Sequence, residues 1–301
     1  MNIARRWTLA IPLSALLGIG CGSNDPMAPA TTDTEARQTA TEELSRHPEL
    51  VEDGLYDIQT QAQTQVGASA IDPLFFWRDI RRVARTFDVA FADTDSTGQP
   101  ATAIITVHKR FAGNFNIVVG DGSPEGSPTD AHVIHKPLRD HWVRRVLLKR
   151  VAKIDGHERR PWRVAAVSGV EVTSRDAQTR LQSVRIQSGD LDTTITHPLA
   201  FWRLRRLVHL DPEASVTLTV TTQAADDVVI LYARGMRSRF HNNGDGTHTI
   251  TWNTGVLDGL RHFGVNALSH DTLFDDEAPY DSQTWILPYV VGPTEMADLA
   301  S

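Results

Sequence analysis

The last third of the chain alternates. Val216, Leu218 and Val220 are separated by Thr217 and Thr219, so an extended backbone would put the aliphatic side chains on one face and the hydroxyls on the other. Phe263, Val265 and Ala267 alternate in the same way with Gly264 and Asn266. Residues 228–232 are continuously apolar, the pattern of a strand covered on both faces, and 285–291 form a last apolar strand. Residues 236–240 and 247–252 flank Asn-Asn-Gly-Asp-Gly, a turn sequence that predicts a hairpin between them. Five to seven short strands with regular turn signals over about 85 residues predict a β-sandwich.

The stretch containing GDGTHTITW and LRHFGVNAL resembles the bacterial immunoglobulin-like domains. The resemblance implies a spacer or binding module, and it covers this part of the chain alone. It departs from antibody-type domains in having no cysteine pair.

The middle of the chain mixes periods. Asp72 and Pro73 make a helix start, and Trp77, Ile80, Ala84 and Phe87 recur at helical spacing with Arg78, Arg81, Arg82 and Arg85 opposite, predicting a helix. From Phe87 the period becomes two, and with 103–107 beyond a turn-rich loop this predicts a hairpin, followed by a strand at 115–119 and a loop at 120–130. Trp142, Val146, Leu147, Leu148 and Val151 sit among Arg144, Arg145, Lys149 and Arg150, which fits strand or helix. Strands follow around 162–172 and 181–187. The expected fold class is therefore mostly β: a β-rich (α+β) middle domain over 71–205 and an immunoglobulin-like sandwich over 206–292, with 293–301 as a tail. PLFFWRDIRRV (73–83), PLRDHWVRRVL (137–147) and PLAFWRLRRLV (198–208) share Pro-Leu, a tryptophan and paired arginines, and read as three anchoring elements.

The N-terminus carries an address. Arg5 and Arg6 precede an apolar run from Trp7 to Leu17 that is too short to span a bilayer, which needs roughly 20 residues, and small residues lead to Cys21, the sole cysteine. Gly18-Ile19-Gly20-Cys21 resembles the lipobox of bacterial lipoproteins, with Gly18 where that family usually has leucine. The resemblance implies cleavage before Cys21, acylation of its thiol and anchorage in an envelope membrane, most naturally the outer one. With that thiol acylated the mature chain has no disulfide. Residues 22–70, rich in Ser, Thr, Pro, Gln and Ala, read as a flexible linker with weak helical spacing at Ala36, Ala40 and Leu44.

Charge divides the chain. Residues 1–70 hold 4 basic and 9 acidic residues, 71–210 hold 22 and 15, and 211–301 hold 4 and 13, within a net charge of −7. The basic middle suits the acidic end, lipid phosphates, an anionic envelope polymer or a protein partner. Nothing in it has the interleaved aromatics of a nucleic-acid surface.

Chemistry-bearing candidates are few. Asp93, Asp95 and Thr97 open like a calcium loop, but the twelfth position is Ile104. Asp275, Asp276 and Asp281, with Glu277, form a second acidic group suited to calcium. His132, His135 and His141 fit no zinc spacing, His157-Glu158 lacks a second histidine, and no nucleophile elbow or phosphate loop is present. The expected function is a non-catalytic binding or structural role in the envelope. The competing expectations are a hydrolase with its site near His132, His135 and Asp140, and an apolar-ligand carrier if the middle strands close into a hollow barrel.

Overall fold

A computed structural model describes residues 30–51, 56, 62–63, 73–96, 98–119, 132–151, 161–203 and 206–292. Cys21, Thr97, His157, Glu158 and the loop at 120–130 lie outside the described residues.

The fold is mostly β. The larger sheet runs in the order β1 (Ala62–Gln63), β2 (Pro73–Thr94), β3 (Pro100–Val119), β4 (His132–Arg150), β5 (Trp162–Ser174), β16 (Ser282–Val291), β15 (Gly259–Leu268), β11 (Val228–Ala233) and β12 (Met236–Arg239). Two short strands join it from the side: β8 (Trp202–Arg203) pairs with β5, and β9 (Val208–Leu210) pairs parallel to β16. The second sheet runs β13 (His241–Asn242), β14 (Thr247–Asn253), β10 (Ser215–Thr222), β6 (Leu181–Ser188) and β7 (Leu191–Ile195). Strands from both sides of residue 205 pair in each sheet, β5 with β16 in one and β6 with β10 in the other.

Two cores follow from two faces. Val216, Leu218 and Val220 of β10 pack against Phe263, Val265, Trp285, Leu287 and Tyr289 of the larger sheet, giving a sandwich. Its centre is aromatic, with Trp252 and Phe263 centroids 5.5 Å apart and Phe263 and Tyr289 5.8 Å apart. The opposite face of the same strands, with Val228, Ile230, Tyr232, Leu268 and Ile286, belongs to a second core shared with β2, β3 and β4. β11 is therefore buried on both faces, which is why residues 228–232 read as an unbroken apolar run.

Several expectations change here. From Pro73 on, the segment expected as a helix up to Phe87 is instead part of the 22-residue strand β2, laddered to β3 from Pro73 to Thr94. Pairing with a strand that buries Ile105, Val107, Phe111, Phe115 and Ile117 outweighs the local helical spacing. The segment around Trp142 is the strand β4. Residues 236–240 do not form a hairpin with 247–252: β12 pairs with β11, and the turn instead joins β13 to β14, because the chain changes sheets at the buried Phe240. Of the three Pro-Leu-Trp-Arg segments, two lie in long strands and the third crosses the short β8.

Within the stretch read as a linker stands α1 (Ala30–Ser45), whose Ala36, Ala40 and Leu44 are buried on the sheet. The indole nitrogen of Trp162 donates to Thr39 Oγ1 at 3.1 Å, and Arg37 donates to the Val89 carbonyl of β2. Small residues at the contact let the helix lie close. Beyond Phe76 the outer edge of β2 has no strand partner among the described residues. Exposed Arg81, Arg82 and Arg85 keep that edge charged, which opposes edge-to-edge association.

β2 and β3 run close together at the register shift between Ile80 and Arg82. A Cβ placed on Gly113 there would stand 1.9 Å from the Asp79 carbonyl oxygen. Because the obstacle is backbone, Gly113→Ala is expected to lower stability by about 1–3 kcal/mol, the usual cost of overpacking. Urea unfolding checks this, and an unchanged midpoint would refute the close approach.

The larger sheet also curls until its ends meet. Arg237 on β12 donates to the Phe76 carbonyl on β2 at 3.2 Å and lies over the Phe76 ring at 5.0 Å. Side chains rather than a ladder close this seam among the described residues.

Candidate functional site

Inside the curl lies a network of charged and aromatic side chains. Arg78 reaches inward from β2 and donates from Nε to Tyr280 Oη at 3.2 Å, from Nη1 to Tyr232 Oη at 3.1 Å and from Nη2 to Asn266 Oδ1 at 3.1 Å. Asp140 comes from β4. Its Oδ2 accepts from Tyr280 Oη at 3.2 Å and from Tyr56 Oη, while Oδ1 has no partner among the described residues. Tyr280 thus bridges a buried cation to a buried anion.

Burial raises the Asp140 pKa, against the opposing pull of Arg78 and the two tyrosine hydroxyls. Burial works against the Arg78 cation, yet Tyr280, Tyr56, Tyr232 and Asp140 around it hold it firmly protonated. Tyr56 and Tyr280 are raised by burial, whereas Arg237 and Arg78 bring Tyr232 below its ordinary value despite burial. Their hydrogen bonds run to one another, tying β2, β4, β11 and β15 together. A polar network occupies the interior of the curl at this level.

The expected site residues are placed as follows. Asp95 closes the β2–β3 turn, its Oδ1 accepting from the Gln99 amide at 3.0 Å, and Asp93 is exposed beside it. Asp275 Oδ1 caps its own loop through the amides of Glu277 and Ala278, and Asp276 is exposed. Asp281 holds the 174–179 loop, accepting from Ser174 Oγ, the Gln178 and Thr179 amides and Thr179 Oγ1. Among the described residues no three His, Cys, Asp or Glu side chains are grouped to hold a metal ion.

His132, His135 and Asp140 are not brought together. On β4 the inward positions include Asp140, His135 faces out to Asn116, and His132 lies eight residues from Asp140, about 26 Å along an extended strand. His141 has partners that sequence reasoning missed. Its Nε2 lies 3.0 Å from His108 Nδ1 on β3, and His108 Nε2 lies 3.0 Å from Asp88 Oδ2 on β2. Partial burial, then His108 and Arg110, lower the His141 pKa. No local motif announces this row, because it depends on diagonal register across three strands.

At the other end of the sandwich, a cleft of about 370 Å³ opens between the turn joining β10 to β11 and the short helix α2 (His270–Phe274). Asp226, Asp227, Asp271 and Asp281 line it, with His270. Asp227 is 2% exposed, and its Oδ2 has no partner among the described residues. Burial, reinforced by Asp226 and Asp281, pushes its pKa up to about 7.

Comparison with protein-family models, with curated proteins and with solved structures finds no match.

Proposed function

We propose that this chain is an envelope lipoprotein, anchored through an acylated Cys21, whose β body has a non-catalytic binding or structural role. The observation that carries the non-catalytic part is the interior network: Arg78, Asp140 and the surrounding tyrosines bond to one another instead of facing a common cleft. Such groups fix a closed sheet. The lipobox-like leader carries the location, and the charged outer edge of β2 gives the displayed body a basic surface suited to an anionic polymer or a protein partner.

Detergent phase separation tests the anchor. The wild-type chain is expected in the detergent phase with a fatty-acyl mass on an N-terminal cysteine, and Cys21→Ala in the aqueous phase. Equal partitioning of the two proteins, or an intact start methionine on the purified wild type, would reject it.

A further inference from the structure

We propose that the cleft between α2 and the β10–β11 turn is a binding site for a small organic cation of the ammonium or guanidinium class, with Asp227 at its base and Asp226 and Asp271 at its sides. This deepens the binding role proposed above and rests on it, but its test does not read membrane anchoring, so either can fail alone.

The contrast between two acids that line the cleft carries the inference. Asp281 is satisfied, with four protein donors on its carboxylate. Asp227, more deeply buried at 2% exposure, has an oxygen with no donor among the described residues, although it lines a cleft. A buried carboxylate oxygen lacking a donor is costly even where Thr222 and the Ala224 backbone serve the rest of the group, and a ligand that supplies N–H groups and positive charge reduces that cost. The volume, about 370 Å³, falls at the low end of the roughly 300–1,000 Å³ of small-ligand pockets. A metal ion fits less well, because among the described residues no three acid, histidine or cysteine side chains converge. Acids distributed along a cleft suit a cation that carries several N–H donors instead.

The charges that line the cleft have one sign. Asp226 adjoins Asp227, Asp281 faces it from the segment before β16, and α2 contributes Asp271, paired at 3.5 Å with His270. The nearby cations are engaged by backbone carbonyls, some of them of residues that line the cleft. Lys136 donates to the carbonyls of Asp271, Asp275 and Ala278, and Arg180 donates to the Thr179 carbonyl. His248 is held by Thr222 Oγ1 at 3.1 Å. A proton and an organic cation therefore compete for Asp227.

Calorimetric titration of the full-length, detergent-solubilised protein tests this with 1,4-diaminobutane, and separately with the N-acetyl amides of lysine and arginine. Saturable binding in the millimolar range or tighter is expected at pH 8, about thirtyfold weaker at pH 5.5, with proton release near pH 7. Asp227→Asn should abolish saturation without lowering the melting temperature, and Asp271→Asn should weaken binding severalfold. Binding of the amino-acid amides without diaminobutane would assign the source as a partner's basic side chain, and the reverse would assign a free amine. Absence of saturable heat with all three probes, or equal binding by Asp227→Asn, would overturn the site.

Discussion

Arg78→Met is expected to lower the stability of this protein by about 3–5 kcal/mol, the usual loss when one member of a buried charge pair is removed. For a body of this size that corresponds to a fall of roughly 6–20 °C in melting temperature. The substitution leaves Asp140 in the interior without its cation, and it deprives Tyr232, Tyr280 and Asn266 of a donor each. Asp140, already raised by burial, would then be driven towards its neutral form. Adding Asp140→Leu should recover about half of the loss, because no isolated charge remains, while Tyr56 and Tyr280 still lack their acceptor. The discriminating quantity is the coupling in the double-mutant cycle. A value above about 1 kcal/mol is expected, since Tyr280 links the two groups directly. Additive single-mutant effects would mean that the network does not act as one unit. Because Arg78 joins β2 to β11 and β15, amide exchange in residues 75–80 should also accelerate in Arg78→Met.

The same network explains which strands could be read from the sequence. β10 alternates in burial and its inward positions are apolar, while β15 is buried on both faces over 263–268 but still alternates large and small or polar side chains in sequence, so both are legible as strands. β4 is not, although it also alternates perfectly. Its buried positions are Lys136, Leu138, Asp140, Trp142, Arg144, Val146 and Leu148, and three charged residues among seven hide the period. Arg78 does the same in β2, where the arginines also mimic the polar face of a helix. Lys136 is satisfied by carbonyls of α2 and of the loop after it, and Arg144 by the Ser168 carbonyl and His262, partners more than 20 residues away. The acidic loop was legible as a cluster, but the role of Asp281 depends on reaching residues 174–179. Asp227 carried one available signal, an acid placed directly before a wholly apolar strand.

The pH dependence of stability should separate two buried groups that act in opposite directions. Asp227 has a folded pKa of about 7 against an ordinary 3.8, so the native state binds the extra proton. Its contribution is greatest below pH 4 and is lost as pH rises through 7. His262 is shifted the other way, to about 3 from 6.5, by burial and then by Arg144, whose Nη2 lies 3.3 Å from His262 Nε2 and donates only to the neutral ring. Its contribution is complete above pH 6.5 and is lost as pH falls towards 3. The wild-type curve therefore mixes two opposing slopes, and the informative quantity is a difference. Asparagine reproduces the protonated shape of Asp227 at every pH, so Asp227→Asn should match the wild type near pH 4 and exceed it at pH 8. At 1.36 kcal/mol per pKa unit the gain is about 2–4 kcal/mol, allowing for partial access of water to the cleft. Urea unfolding at the two pH values measures it. A difference that stays constant from pH 4 to pH 8 would show that Asp227 titrates normally in the folded protein, and a gain that shrinks when diaminobutane is added at pH 8 would place the amine on the same carboxylate.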